Sequence, residues 1–313
     1  MAVDHTVSHR DPRREEVVAA WQAAGLFVRE ERGHWVVVDG PGWLSRARVL
    51  AAAAGTGSPW PWAWRVRQVV TTTMTVARRA LGPTSGPIAV LADRQTKGRG
   101  RRGRRWESAA GGGLHLSLAW HPESDLVASG ALTLRVGLAA ARAVESVTGV
   151  RLGLKWPNDG LHQALKVMGV LCEGGTYPTP WVVAGIGMNV NGPPPAGVEG
   201  ATSLAAITGR PWSRAQLAAA IAAEAAVLLE SRDDSWFLAY QERSVTLGRR
   251  VRVMGASQAY EGLADSVDAT GALWVRRDDG ALVQVTAGEV SIRAAGGAGT
   301  SEPHPPSARP GCP

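Results

Sequence analysis

Cysteine is nearly missing from this chain. Only Cys172, inside an apolar run, and Cys312, near the end, occur among 313 residues, so no disulfide framework is implied. No stretch approaches 18 consecutive apolar residues, which argues against a membrane-spanning helix. The opening Met1-Ala-Val-Asp-His-Thr6 has no basic segment followed by an apolar one, so nothing reads as a secretory leader. Together these absences describe a cytoplasmic protein with no membrane association, whose fold rests on burial. What is present in excess is positive charge: 34 Lys and Arg against 27 Asp and Glu, a formal net charge of +7. Such a surplus suits an anionic partner or substrate without choosing between a nucleotide, an acidic protein and DNA. The length allows a sizeable core and more than one domain.

The surplus is concentrated in Gly98-Arg-Gly-Arg-Arg-Gly-Arg-Arg-Trp106, where Arg99, Arg101, Arg102, Arg104 and Arg105 surround three glycines. Neighbouring guanidiniums ~6 Å apart in water repel by roughly 0.7 kcal/mol. The glycines add backbone freedom that ordering must remove. The loop is therefore expected to stay mobile until an anion neutralises it, and Arg forks bind phosphate or carboxylate bidentately. Taken alone it fits a solvated basic loop or a nucleic-acid patch equally well.

Along the chain, Asp11-Pro12 reads as a helix start carrying Val17, Val18, Trp21 and Ala24, stopped by Gly25. Two β-like runs, 26–30 and His34–Asp39, follow around a turn at Glu31-Arg-Gly33. Arg46–Ala54 can form a short helix, and Gly55–Trp62 reads as a linker. Val69–Met74 leads into a helix through Leu81, for which Thr72 or Thr73 could be the N-cap. Ile88–Ala92 is a candidate buried strand, whereas Gly112–Trp120 alternates leucines with His115, Ser117 and Ala119 as a half-buried strand does. His115 reads as a strand-face residue, since nothing pairs it with a nucleophile. Residues 126–148 form an Ala/Leu-rich helix ending before Gly149. Val150–Trp156 alternates again, placing Lys155 opposite the apolar stripe, at a strand end closed by Pro157. Lys166–Glu173 and Trp181–Gly187 are further strands, with Asn189 in a turn after the second, and Gly192–Gly197 is a surface loop. Ser213 with Gln216 forms a capping box opening a helix to about Glu230, and Ser235–Arg243 is another helix. Beyond Arg249 come short strands, 250–254, 259–267, 272–276 and 281–285, with Asp279-Gly280 as a tight-hairpin signal. The Gly/Pro/Ser-rich remainder should be disordered.

The arginine loop, Gln95, Lys155-Trp-Pro-Asn-Asp159, Lys166-Val-Met-Gly169 and Gly185-Ile-Gly-Met-Asn189 occur in an order and spacing that resembles the biotin protein ligases, across residues 66 to 293. The resemblance implies an α+β fold: a mixed or antiparallel central sheet flanked by helices, similar to class II synthetases, plus a small C-terminal SH3-like β-barrel closed by residues 288–293. It implies a reduced winged-helix-like segment and linker at 1–63, since about ten residues before the first helix leave no room for a complete DNA reader. The catalytic domain is then 64–246, the SH3-like domain 247–293 and the disordered tail 294–313.

The activity implied is ATP-dependent: biotin and ATP give biotinyl-5′-AMP, and a lysine of a biotin carboxyl carrier protein, from acetyl-CoA carboxylase or a related carboxylase, takes the biotinyl group. By the same resemblance Lys155 and Arg101 are catalytic. Biotin is met by Thr72, Thr73, Gln95, Gly98, Arg99, Arg101, Lys155 and Gly187. ATP is met by Arg99, Arg101, Arg104, Trp106, Asn158, Lys166 and Asn189, with Trp106 and Asn189 facing the adenine. Asn158 and Asp159 suit a largely hydrated Mg²⁺. Met74 stands where some relatives carry Asn. Two other readings share parts of this pattern: a bifunctional ligase and DNA-binding repressor, and a lipoate-type ligase of the same fold. The missing front of the reader argues against nucleic acid, and the pairing of loop with Lys155–Asp159 favours biotin. A homodimer is compatible with the family.

Overall fold

A computed structural model describes residues 6–8, 10–23, 27–39, 44–107, 111–122, 130–192, 200–231, 233, 235–254, 259–286 and 289–292. The stop at Gly25, the loop 193–197 and the tail 294–313 lie outside these residues. At the N-terminus, β1 (Thr6–Ser8), α1 (Arg14–Ala23), β2 (Phe27–Glu31) and β3 (His34–Asp39) form a small unit. Its sheet has the order β1-β3-β2, so the two-stranded wing read from sequence gains a third strand. Asp11 accepts from the Arg13 N–H at 2.8 Å ahead of the helix. Val7 and Trp21 are buried together there, apart from the main core.

Helix α2 (Arg46–Ala54) is capped by Ser45. Leu44 and Val49 belong to the main core, and Trp62, whose ring lies tilted against that of Trp60, donates to the Ala222 carbonyl at 3.0 Å. The stretch read as part of the N-terminal segment and linker thus packs with the residues that follow it. Indoles bury too much apolar surface to remain a solvated connector.

The central sheet has seven strands: β4 (Ala63–Val70), β5 (Ile88–Gln95), β6 (Gly113–Trp120), β7 (Gly153–Lys155), β8 (Asp159–His162), β9 (Leu165–Gly175) and β10 (Trp181–Asn189). Their order is β4-β5-β6-β10-β9-β8-β7, with β4–β5 parallel and every other pair antiparallel. Helix α4 (Ala131–Thr148) ends at Gly149 in the left-handed region (φ 76°) and packs beside α6 (Arg214–Glu230) under one sheet face. Ser213 caps α6 by accepting the Gln216 N–H at 3.3 Å. The other face carries α3 (Thr73–Ala80). Strand β6 is buried at all eight positions rather than on one face. It is the middle of a covered sheet, so His115 and Ser117 face α3 and the site instead of water. Three further elements were not read from sequence: β4, whose Val69 and Val70 were taken as the approach to α3, β8, and α5 (Leu204–Thr208) capped by Ser203.

Helix α7 (Ser235–Arg243) leads to an antiparallel sheet of β11 (Arg250–Met254), β12 (Ala259–Val267), β13 (Leu273–Arg276), β14 (Leu282–Val285) and β15 (Glu289–Ile292). Its order, β14-β13-β12-β11-β15, is the small SH3-like domain expected from sequence. The Asp279-Gly280 hairpin is a three-residue loop: Arg277 N–H reaches Ala281 O at 2.8 Å, with Gly280 at φ 84°. No helix among the described residues is long and apolar enough to cross a membrane.

Candidate active site

The site grows from one lateral row of the sheet. Successive strand partners run Lys155, Asp159, Gly169, Gly187, His115 and Ala92, from β7 across to β5. Residues opposite one another in a ladder project from the same face. Lys155 and Asp159 therefore stand beside two positions without side chains, and the glycines leave a trough. The Trp106 indole fills it: a Cβ on Gly187 would lie 2.5 Å from the ring and one on Gly169 3.2 Å. Gly185, two residues back on the same face, makes room for Met74, which would sit 2.8 Å from a Cβ there. The alternation of Gly185-Ile186-Gly187-Met188 is thus explained, with Ile186 and Met188 buried in the core under the opposite face.

Above the trough is a cavity of about 210 Å³. It is lined by Thr72, Thr73, Gln95, Arg99, Arg101, Arg104, Trp106, Lys155, Asn158, Asp159, Lys166 and Gly187. Residues from six separate segments of chain are brought together. Two of the expected site residues are elsewhere. Gly98 stands just outside the lining, its carbonyl accepting the Trp106 N–H at 3.1 Å. A side chain there would strike the Trp106 backbone. Asn189, expected against adenine, ends β10 and gives its amide N–H to the Thr202 carbonyl at 3.1 Å; it does not line the cavity.

The neutral end of the cavity is a chain of hydrogen bonds. Ser117 Oγ donates to Thr73 Oγ1 at 2.8 Å, and Thr73 Oγ1 donates to Gln95 Oε1 at 3.1 Å. The Thr73 N–H adds a second bond to the same oxygen at 2.8 Å. With Oε1 taken twice, Gln95 is left with Nε2 to offer the cavity it lines, donors where the sequence left both roles open. Thr72 is the N-cap of α3, accepting the Thr75 N–H at 3.0 Å, and lines the cavity as well. Ser117 was missed because nothing marks a serine among strand leucines until α3 packs on it.

The cationic end is the arginine loop, which is closed here. Gly100 N–H meets Arg104 O at 2.8 Å, Arg99 bridges Arg105, and residues 101–103 form a short 3-10 turn with Arg102 at φ 55°. Glu173 pairs with Arg99 at 3.1 Å and Glu107 with Arg105 at 3.1 Å. Protein carboxylates supply part of the neutralisation that the sequence reading assigned to a ligand. Arg101 Nη1 reaches Asn158 Oδ1 at 3.3 Å, joining the loop to the Lys155–Asp159 turn. Asn158 in turn donates to Val170 O at 3.1 Å. Lys166 lies 2.7 Å from Asp159 and 5.6 Å over the Trp106 ring.

Lys155 lines the cavity, and no ion pair among the described residues includes it. The described residues contain no cluster of three or more His, Cys, Asp or Glu able to hold a metal. Asp159 Oδ1 is nevertheless buried and close to Lys166 without a hydrogen bond in good line. One carboxylate and one amide would suit a cation that keeps most of its water, not a fully protein-ligated one.

Behind the row lies a buried ion pair. Arg214, the first residue of α6, meets Asp93 Oδ1 at 2.5 Å and the Gly113 carbonyl at 2.9 Å. His115 is 1% exposed beside them. Burial, helped by the Arg214 charge and opposed by Asp93, pushes its pKa down to about 4, so it is neutral at pH 7.

Residues 66–191 match the biotin/lipoate A/B protein ligase family, and residues 246–293 the biotin protein ligase C-terminal domain. The chain is 34% identical over 232 residues to the biotin--[acetyl-CoA-carboxylase] ligase of Mycobacterium tuberculosis, spanning 70% of this chain and 84% of that protein. It is 30% identical over 240 residues to the bifunctional ligase/repressor BirA of Escherichia coli, 74% of each. The biotin protein ligase of Aquifex aeolicus, solved with biotin and ATP, superposes with a TM-score of 0.63 at 30% identity, covering 75% of this chain and 99% of that one. The chain belongs to the biotin protein ligase family.

Proposed function

We infer that this protein is an ATP-dependent biotin ligase. Biotin's carboxylate attacks the α-phosphorus of ATP, giving biotinyl-5′-AMP and releasing pyrophosphate. The amine of a carrier lysine then attacks the acyl carbon of that mixed anhydride, forming the amide and releasing AMP. The observation that carries the reading is Lys155, a cation on the cavity wall with no ion-pair partner among the described residues, held within one pocket with the arginine loop.

The first step brings two anions together, so catalysis is largely positioning and charge neutralisation. Lys155 and Arg101 take the reacting carboxylate and α-phosphate between them. Arg99 and Arg104, on the same loop, meet the outer phosphates with Lys166. Gln95 donates to the ureido carbonyl, and Thr72 and Thr73 pack around that ring. Gly187 keeps the floor low enough for ring and indole, and the exposed side of Trp106 faces the nucleotide base. Mg²⁺ would be held by Asn158 and Asp159, and when bound it neutralises phosphate charge. A closed loop also keeps water from the anhydride.

The acceptor is a biotin carboxyl carrier protein of acetyl-CoA carboxylase or a related carboxylase, and the protein works in the cytoplasm. Strand β4 ends the sheet with no partner on its outer side among the described residues, an edge suited to a carrier or a second copy. The chain divides functionally into the small N-terminal unit, a ligase domain that includes α2, and the SH3-like domain.

The test incubates the purified protein with ATP, biotin and a carrier domain, with lipoate in a parallel reaction. ATP-dependent mass gain on the carrier lysine with biotin alone is expected. Transfer of lipoate instead, or none of either, would overturn the reading. A gel shift with DNA at physiological salt is expected to be negative.

A further inference from the structure

Asn158 and Asp159 are held by Arg101, Val170 and Lys166, whereas Trp156, in the same turn, is held from beyond residue 243. Trp156, 2% exposed, gives its backbone N–H to Thr246 Oγ1 at 2.9 Å and its indole N–H to the Gly271 carbonyl at 3.0 Å. The Val245 N–H binds Leu154 O at 3.0 Å. Gly271 sits in the turn between β12 and β13, at φ 84°. A side chain on it would run into the backbone of Gly130 and Ala131. The neighbouring Thr270 carbonyl accepts the Ala131 N–H, the first of α4, at 2.8 Å. The turn is therefore wedged between the start of α4 and the back of the active site.

One carboxylate shapes it. Asp268 Oδ1 accepts from the Thr270 N–H at 2.9 Å, Thr270 Oγ1 at 2.6 Å and the Ala272 N–H at 3.1 Å. Oδ2 accepts from Trp274 Nε1 at 2.9 Å and Gln284 Nε2 at 3.0 Å. Its bonds to the Thr270 and Ala272 N–H groups flank Gly271, whose own N–H binds the Asp268 carbonyl at 2.8 Å.

We propose that the Asp268–Ala272 turn of the SH3-like domain is a positioning element for the adenylation step: Asp268 sets the Gly271 carbonyl, that carbonyl sets the Trp156 indole, and Trp156 aims Lys155 and Asn158 on either side of it. The proposal rests on the ligase reading. It acts on the phosphate end of the cavity, because Thr73, Gln95 and Ser117 share no hydrogen bond with this chain of contacts. An error of about 1 Å in such a group costs up to about a hundredfold in rate.

The experiment is single-turnover formation of biotinyl-5′-AMP by the full chain at saturating ATP and biotin, with biotin affinity and thermal midpoint measured alongside. Trp156→Phe removes the indole donor, and Asp268→Asn replaces Oδ2 acceptance with a clashing donor. Each is expected to slow adenylation by roughly ten- to a hundredfold with biotin affinity within twofold. Val253→Ala, which opens the buried part of the same domain on β11, should lower the midpoint and leave the rate within twofold. The proposal is overturned if either of the first two variants adenylates at the wild-type rate. It is equally overturned if all three lose rate in proportion to their midpoints. A wild-type protein that forms no adenylate would sink the ligase reading itself, a result distinct from both.

Discussion

The two ends of the cavity are built on different physical terms. At the Thr73–Gln95 end, neutral groups saturate one another and leave a single set of donors facing inward. At the Arg101–Lys155 end, Lys155 has no ion pair among the described residues, and the loop is held by contacts to Asn158 and Glu173 that an incoming phosphate can replace. The first end is specified before ligand arrives, because an unpaired buried polar group costs about 1–3 kcal/mol. The second keeps the Lys155 charge for the ligand. Recognition of a ring and activation of a carboxylate therefore occupy opposite ends, and substitutions should separate them.

Lys155→Ala should have the largest effect. A charge-assisted contact contributes about 1.5–3 kcal/mol, so single-turnover adenylation should fall by roughly 13- to 160-fold even at saturating biotin and ATP. A near-normal rate would place the chemistry elsewhere. Arg101→Ala comes next: losing one fork of the lid should let preformed adenylate dissociate about tenfold faster, followed by release of labelled adenylate into a chase. An unaltered release rate removes Arg101 from the lid.

Ser117→Ala attacks the neutral end, three bonds from the ligand. Removing one hydrogen bond costs about 1 kcal/mol, so biotin should bind about fivefold more weakly while ATP binding stays as it was. Equal losses for both ligands would mean that the two ends are not independent. His115 gives the smallest effect on activity and tests stability instead. Its folded pKa is lowered from 6.5 to about 4, so its contribution is fully present above about pH 6.5 and is lost as pH falls towards 4. His115→Phe should flatten the unfolding free energy across that window; an unchanged acid limb would assign the loss to other groups.

Most of the element pattern was legible because local rules set it. Ser213 with Gln216, Gly149 and the alternation in 250–285 each carry their own capping or strand signal. The short β8 carried none, since four residues between Pro157 and Leu165 contain too little periodicity to read. Burial on the second face of β6 was invisible as well, because a strand's sequence records one apolar face and not what covers the other. Trp60 and Trp62 looked like linker residues for the complementary reason: Gly and Pro around them mark irregular backbone, not solvent.

The sequence alone determined which chemistry is available. An arginine cluster cannot be mistaken for core, and a lysine before Trp-Pro-Asn-Asp ends a strand on its polar side. Only the tertiary structure decided the meeting of these groups, because the ladder register sets Lys155, Asp159, Gly169 and Gly187 in one row from strands that are distant in sequence. It also decided which amide end Gln95 shows, that Asn189 turns to Thr202, and that Asp268 stands behind Trp156. Each depends on which side chains already have partners, a property of packed neighbours that no single stretch of chain contains.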